Sequence, residues 1–117
     1  MWHPNKAQAA VICYSDLPKE EGEAWANKFA THTAISFGND LTYAGYKDVP
    51  VSFLFCEDDL VVPPKVQRTG IEVIERESGS KVDITSIKTG HIPNISRPEL
   101  VIEWMLHMVN MYLITLV

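Results

Sequence analysis

Basic residues are scarce in this chain and nowhere gathered into a run. Ten Lys and Arg stand against fifteen Asp and Glu, for a net charge of −5. That balance argues against nucleic acid or an anionic membrane surface as a main partner. Cysteine is scarcer still. Cys13 and Cys56 show no Cys-x-x-Cys spacing and no metal-ligand cluster. Two free thiols in a reducing compartment follow, with no structural metal and no cofactor motif. The opening residues Met1-Trp2-His3-Pro4-Asn5-Lys6 lack the basic region and apolar run of a secretory signal. The one long apolar stretch, Trp104 to Val117, is too short to span a bilayer and is interrupted by His107 and Asn110. A cytoplasmic protein is therefore expected. Internal repeats and low-complexity segments are absent as well.

What is present suits one globular unit. The chain has 117 residues, 46% of them hydrophobic and 21% charged. So short a chain buries a smaller share of its surface than a larger one, and its core is correspondingly marginal. Residues 1–48 and 49–117 read differently. In the first part, Ala9-Ala10-Val11-Ile12-Cys13-Tyr14 is a short apolar run, either a strand or a buried connection. Asp16-Leu17-Pro18-Lys19-Glu20-Glu21 predicts a helix start, with Asp16 as cap and Pro18 in the first turn. Gly22, Trp25, Ala26, Phe29 and Ala30 then share one apolar face. Residues 32–48 read as irregular structure containing Phe37, Tyr43 and Tyr46.

The second part alternates. Residues 49–56 predict a strand buried on both faces. Pro63 and Pro64 open a helix to about Glu77, closed by Ser78-Gly79-Ser80, and residues 82–87 predict a second, β-branched strand. Pro98 opens the last helix, whose buried stripe should be Leu100, Val101, Trp104, Met105, Met108 and Tyr112. Strand, helix, strand, helix predicts a parallel sheet with right-handed crossovers, an α/β fold.

Ligands of open α/β sheets bind beyond the carboxyl ends of the strands. Two polar segments occupy that place here, Cys56-Glu57-Asp58-Asp59 and Thr89-Gly90-His91. Adjacent parallel strands would bring a carboxylate and an imidazole to one sheet edge. A carboxylate bonded to one ring nitrogen fixes the tautomer and leaves the other nitrogen as a base. The competing reading is a solvated acidic turn and a surface histidine.

Asp59-Leu60-Val61-Val62-Pro63-Pro64-Lys65-Val66-Gln67, followed by Gly90-His91-Ile92-Pro93-Asn94-Ile95-Ser96-Arg97-Pro98-Glu99, resembles the end of an α/β-hydrolase. The closest likeness is to the branch of plant methylesterases and hydroxynitrile lyases and their fungal relatives. The resemblance implies that Asp59, rather than Asp58, is the triad acid and that His91 is the triad histidine. Tyr14-Ser15-Asp16-Leu17-Pro18 and the helix carrying Trp25 are similar to the cap that covers the active site in that family. Tyr14, Trp25, Tyr43 and Tyr46 are the expected substrate-lining residues. The resemblance runs over roughly residues 9–112, and for fungal relatives it implies natural-product chemistry.

One family motif is missing. The nucleophile of the family sits in a Gly-x-Ser-x-Gly elbow. None of Ser15, Ser36, Ser52, Ser78, Ser80, Ser86 and Ser96 has glycine two residues away on both sides. Cys13 and Cys56 are poor substitutes, since nothing near them in the sequence would lower a thiol pKa. The expectation is a truncated α/β-hydrolase fold: a short parallel sheet, flanking helices and a cap helix, completed by homodimerisation along an open strand edge or the last helix. The expected function is acid–base chemistry by His91 and Asp59 on a small organic molecule, of isomerase, cyclase or lyase type. The alternatives are a non-catalytic binding protein and a fragment of a longer serine esterase, which Met1 weighs against.

Overall fold

A computed structural model describes residues 5–115. Residues up to Pro4 of the opening stretch, and Leu116 and Val117 of the apolar tail, lie outside the described residues.

The run expected as strand or connection is helical. Helix α1 spans Lys6–Cys13, and the Asn5 side chain caps it by accepting from the Gln8 backbone N–H at 3.1 Å. Three alanines in eight residues favour helix over strand. Helix α2 spans Lys19–Ala26, shorter than its apolar pattern suggested. Pro18 stands at its N-cap, and no side chain caps it. Asp16 is therefore not the helix cap; its carboxylate is spent elsewhere, as described below. Phe29 lies beyond the helix end and packs its ring 5.7 Å from that of Tyr14. Ala30 is exposed. Residues 32–48 are irregular apart from an isolated bridge at His32 and two 3-10 turns, Ala34–Phe37 and Gly45–Lys47.

Strand β1 spans Ser52–Cys56 and β2 spans Asp83–Ile87, paired in parallel from Ser52 opposite Asp83 to Cys56 opposite Ile87. The sheet has these two strands alone among the described residues. Phe55 and Cys56 are buried, but residues 51–54 are only half-buried. Full burial on both faces fails because two strands offer too little surface to cover. Between the strands runs α3, Pro64–Ser78, with Pro at its start and Gly79 closing it in the left-handed conformation at φ 71°. After β2 come a one-turn helix α4, Pro93–Ser96, and then α5, Pro98–Thr115. The result is a short two-stranded parallel sheet with flanking helices, a truncated α/β fold.

Burial is divided between two small clusters. Phe55, Ile71 and Val82 form one, with Val51, Phe53 and Ile74 against them. Ala9, Tyr14 and Ala26 form the other, joined by Trp25, Phe29, Ile92 and Ile95. The second cluster places α1 and α2 over the segment that follows β2. Helix α5 lies against the sheet through the half-buried Leu100, Val101, Trp104, Met108 and Tyr112. Met105, expected in this stripe, is 53% exposed. On the helical wheel it sits at the edge of the stripe, next to Tyr112 and farthest from Leu100 and Trp104. No helix among the described residues is long and apolar enough to cross a membrane.

Candidate active site

The parallel register ends both strands at one level, Cys56 beside Ile87. The Glu57 N–H donates to the Ile87 carbonyl at 2.9 Å and the Asp58 N–H to the Thr89 carbonyl at 3.1 Å. These bonds stitch together the two segments that leave the sheet. Asp59 and His91 follow directly, and they meet. His91 Nδ1 lies 2.9 Å from Asp59 Oδ2.

The Asp59 carboxylate is 6% exposed and uses both oxygens. Oδ1 accepts from the backbone N–H groups of Val61 at 2.8 Å and Val62 at 2.9 Å, which leaves Oδ2 to accept from the imidazole. A carboxylate held by two backbone donors cannot turn away from its partner. It requires the proton on Nδ1 of His91 and leaves Nε2 as the basic nitrogen. The His91 side chain is about one-third exposed, at 32%, so the pair has a buried acid and an accessible imidazole.

Two further residues hold this arrangement. Gln67, buried on α3, accepts from the Cys56 N–H at 3.0 Å and donates to the carbonyls of Cys56 and Val62, each at 2.8 Å. It thereby closes the whole turn that carries Asp59. Asp16 does the same for His91 from the other side. Its Oδ2 accepts from the Gly90 N–H at 2.8 Å and from the Ser96 hydroxyl at 2.6 Å, so it spans the turn before and after the imidazole. Gly90 leaves room there: a Cβ would lie 2.8 Å from Asp16 Oδ1 and 3.0 Å from Ser15 Oγ, so those side chains would have to shift. Gln67 sits in the motif read from the sequence, though its role does not show there. Asp16 and Ser96 were missed as holders of the site, since nothing local in the sequence links positions 80 residues apart.

The aromatic residues expected around a substrate do not assemble as a group. Tyr14 is 5% exposed and belongs to the core under α1 and α2. One edge of it also borders a groove of ≈ 360 Å³ lined by Ala10, Val11, Ser15, Leu17 and Lys19. Ser15 brings that groove up to the Gly90 turn. Trp25 packs on the same core, with the Lys28 ammonium 4.1 Å from the centre of its ring. Tyr43 and Tyr46 lie elsewhere. The Tyr43 hydroxyl donates to Asp48 at 2.5 Å, and the neighbouring Lys47 pairs with Glu77 at the far end of α3. Fifteen residues of helix separate that end from the Asp59 turn, about 22 Å. Tyr43 and Tyr46 are thus at the amino-terminal edge of the sheet, opposite the dyad. The connection from residue 38 to β1 must arrive at that edge for β1 to run in its observed direction.

Neither cysteine is set up as a nucleophile. Burial, and then the charge of Asp59, push the Cys13 thiol pKa up. Burial pushes Cys56 up too. The charges of Asp59 and Asp16 add to this, and only the nearby Thr89 hydroxyl opposes it. Among the described residues no three His, Cys, Asp or Glu side chains converge as metal ligands would.

No family model matches the chain. Comparison with curated proteins does find relatives. It is 38% identical over 91 residues to a "Probable hydrolase R7" of a Phoma species, an alignment covering 78% of this chain and 37% of that protein. It is 36% identical over 62 residues to "Alpha/beta hydrolase nvfD" of Aspergillus novofumigatus, covering 53% of this chain and 23% of that one. Over part of its length this chain is thus similar to fungal proteins named as hydrolases. It spans little more than a third of the length of the first relative and about a quarter of the second. An α/β-hydrolase origin accounts for an acid and a histidine delivered from consecutive parallel strands to one sheet edge.

Proposed function

We propose that this α/β-hydrolase-derived protein is an enzyme that moves a proton on a small organic substrate, with His91 as acid–base and Asp59 as the group that orients it. The observation that carries this reading is the contact between Asp59 Oδ2 and His91 Nδ1, backed by the two backbone donors on Asp59 Oδ1. Nε2 takes a proton from carbon or oxygen and returns it at another position. Isomerisation, cyclisation or elimination needs no more than this, and none of them passes through a covalent ester. These residues hold no Gly-x-Ser-x-Gly elbow, and this chemistry needs none. Substrate would enter at the half-open imidazole, beside the groove that reaches Ser15.

Deuterium exchange at activated C–H positions of small ketones and β-keto esters tests the reading. The intact chain should accelerate exchange, and His91→Ala should lose about 100-fold or more, the ordinary scale of acid–base catalysis by one side chain. Equal rates for the two proteins would rule the proposal out. A second reading is favoured by the greater length of both relatives: the dyad serves a serine supplied from outside these residues. A fluorophosphonate probe separates the two, because a triad serine would be labelled and a serine-free site would not.

A further inference from the structure

One face of α1 lines a groove instead of a core. Ala7, Ala10, Val11 and Tyr14 follow the spacing of a single helix face. Tyr14 is buried at one end of it, while Val11 is 66% exposed. Leu17 and the start of α2 form the facing wall, and the space between is ≈ 360 Å³. Small-molecule sites span roughly 300–1,000 Å³. Ser15 closes the end nearest the dyad: its Oγ lies 3.0 Å from where a Cβ on Gly90 would stand, and Gly90 precedes His91. Ser15 is exposed, and its hydroxyl has no hydrogen-bond partner among the described residues. The groove holds no spare positive charge either. Lys19 is the one cation lining it among the described residues, and it lies 3.9 Å from Glu23 on the same wall. Glu20 and Glu21 add negative charge to that turn.

We propose that this groove binds the substrate as an uncharged, largely apolar carbonyl compound, with the Ser15 hydroxyl donating to its carbonyl oxygen. That the bound molecule is the substrate rests on the reading of His91 as acid–base. An apolar body leaves water for the surface of Ala10, Val11 and Leu17. One free hydroxyl at the end of an apolar wall fixes which way round the molecule lies. An anion is disfavoured, because it would meet three glutamates and a lysine already neutralised. With the carbonyl at Ser15, the carbon beside it is the one presented to the imidazole. When Nε2 takes a proton from that carbon, the C–H pair becomes the C=C bond and the carbonyl π pair moves onto oxygen. Ser15 donates to that oxygen, and return of the proton restores the carbonyl. A donor placed where charge develops binds more strongly in the transition state than before it.

Fluorescence titration of the intact chain with a dimethylamino-naphthyl ethyl ketone tests it. This neutral probe emits further to the blue in apolar surroundings, and its CH2 beside the carbonyl can exchange deuterium. The wild type should bind it with a blue shift, and should bind the matching naphthoate anion about 10-fold more weakly or worse. Val11→Asp should weaken the ketone about 10-fold. Ser15→Ala should weaken it about five-fold, the scale of one hydrogen bond, and Ser15→Thr should restore it. Both side chains are exposed, so circular dichroism should be unchanged. Leu106→Asp, on the separate exposed surface of α5, should leave the titration as it was. Equal affinity for ketone and naphthoate overturns the proposal, as does binding that ignores Val11→Asp and Ser15→Ala or that Leu106→Asp weakens equally. The acid–base reading fails separately. Groove binding with these effects but no deuterium exchange above buffer would remove that reading and support the site. Exchange that depends on His91, with binding indifferent to Val11→Asp, would do the reverse.

Discussion

Asp59 and His91 stand 32 positions apart in the sequence and 2.9 Å apart in space, and each is held by a residue from a different part of the chain. Gln67 grips the acid turn from α3, and Asp16 grips the imidazole turn from the segment between α1 and α2. Removing Gln67 leaves the buried N–H and carbonyl of Cys56 and the carbonyl of Val62 without their partner. Gln67→Ala should therefore cost about 2–3 kcal/mol in denaturant unfolding, within the range for stranded buried polar groups. Gly90→Ala forces a Cβ against Asp16 and should cost about 1–3 kcal/mol, as overpacking commonly does. Asp16→Ala relieves that clash, so the double variant should regain part of the loss. The cysteines give a pH test. Both folded thiols titrate above the ordinary value of 9.0 because burial and nearby carboxylates oppose the thiolate. Their contribution to stability is complete below pH 9.0 and fades as pH rises through the folded values. Alkylation by iodoacetamide at pH 8 should be slower in the folded chain than in urea, and equal rates would show that the thiols are not shielded.

At the scale of elements, the second half of the chain was legible because its signals are local. Pro63-Pro64 and Gly79 mark the ends of α3, and the β-branched run marks β2. Gly79→Ala, at φ 71°, should cost about 1 kcal/mol in thermal unfolding for the same local reason. The first half was less legible. The run from Ala9 to Tyr14 is apolar enough for a strand, and only the Asn5 cap and the alanines decide for helix. Asp16 illustrates the other limit. Its position before Pro18 and two glutamates suits a helix cap, yet a bond to Gly90, 74 positions away, claims it. The acid and the histidine were legible because each directly follows a strand, and parallel pairing in register does the rest. Tyr43 and Tyr46 were misplaced because the sequence of an irregular segment carries no record of which sheet edge it crosses.

Over the whole molecule, burial falls short of closure. The Cα radius of gyration is 16.3 Å, against about 13 Å for a compact domain of this length. Two small clusters stand in for one core, and apolar residues of α5 such as Ile102, Leu106 and Ile114 stay exposed. The central claim is that this short α/β assembly still holds an oriented imidazole. Nitrogen-15 NMR of His91 in the intact chain, at a pH where the ring is neutral, tests that claim most directly. The account predicts a proton on Nδ1 and a bare Nε2, with the preference for Nδ1 lost in Asp59→Asn. A ring protonated on Nε2, or one whose tautomer is indifferent to Asp59→Asn, would contradict it.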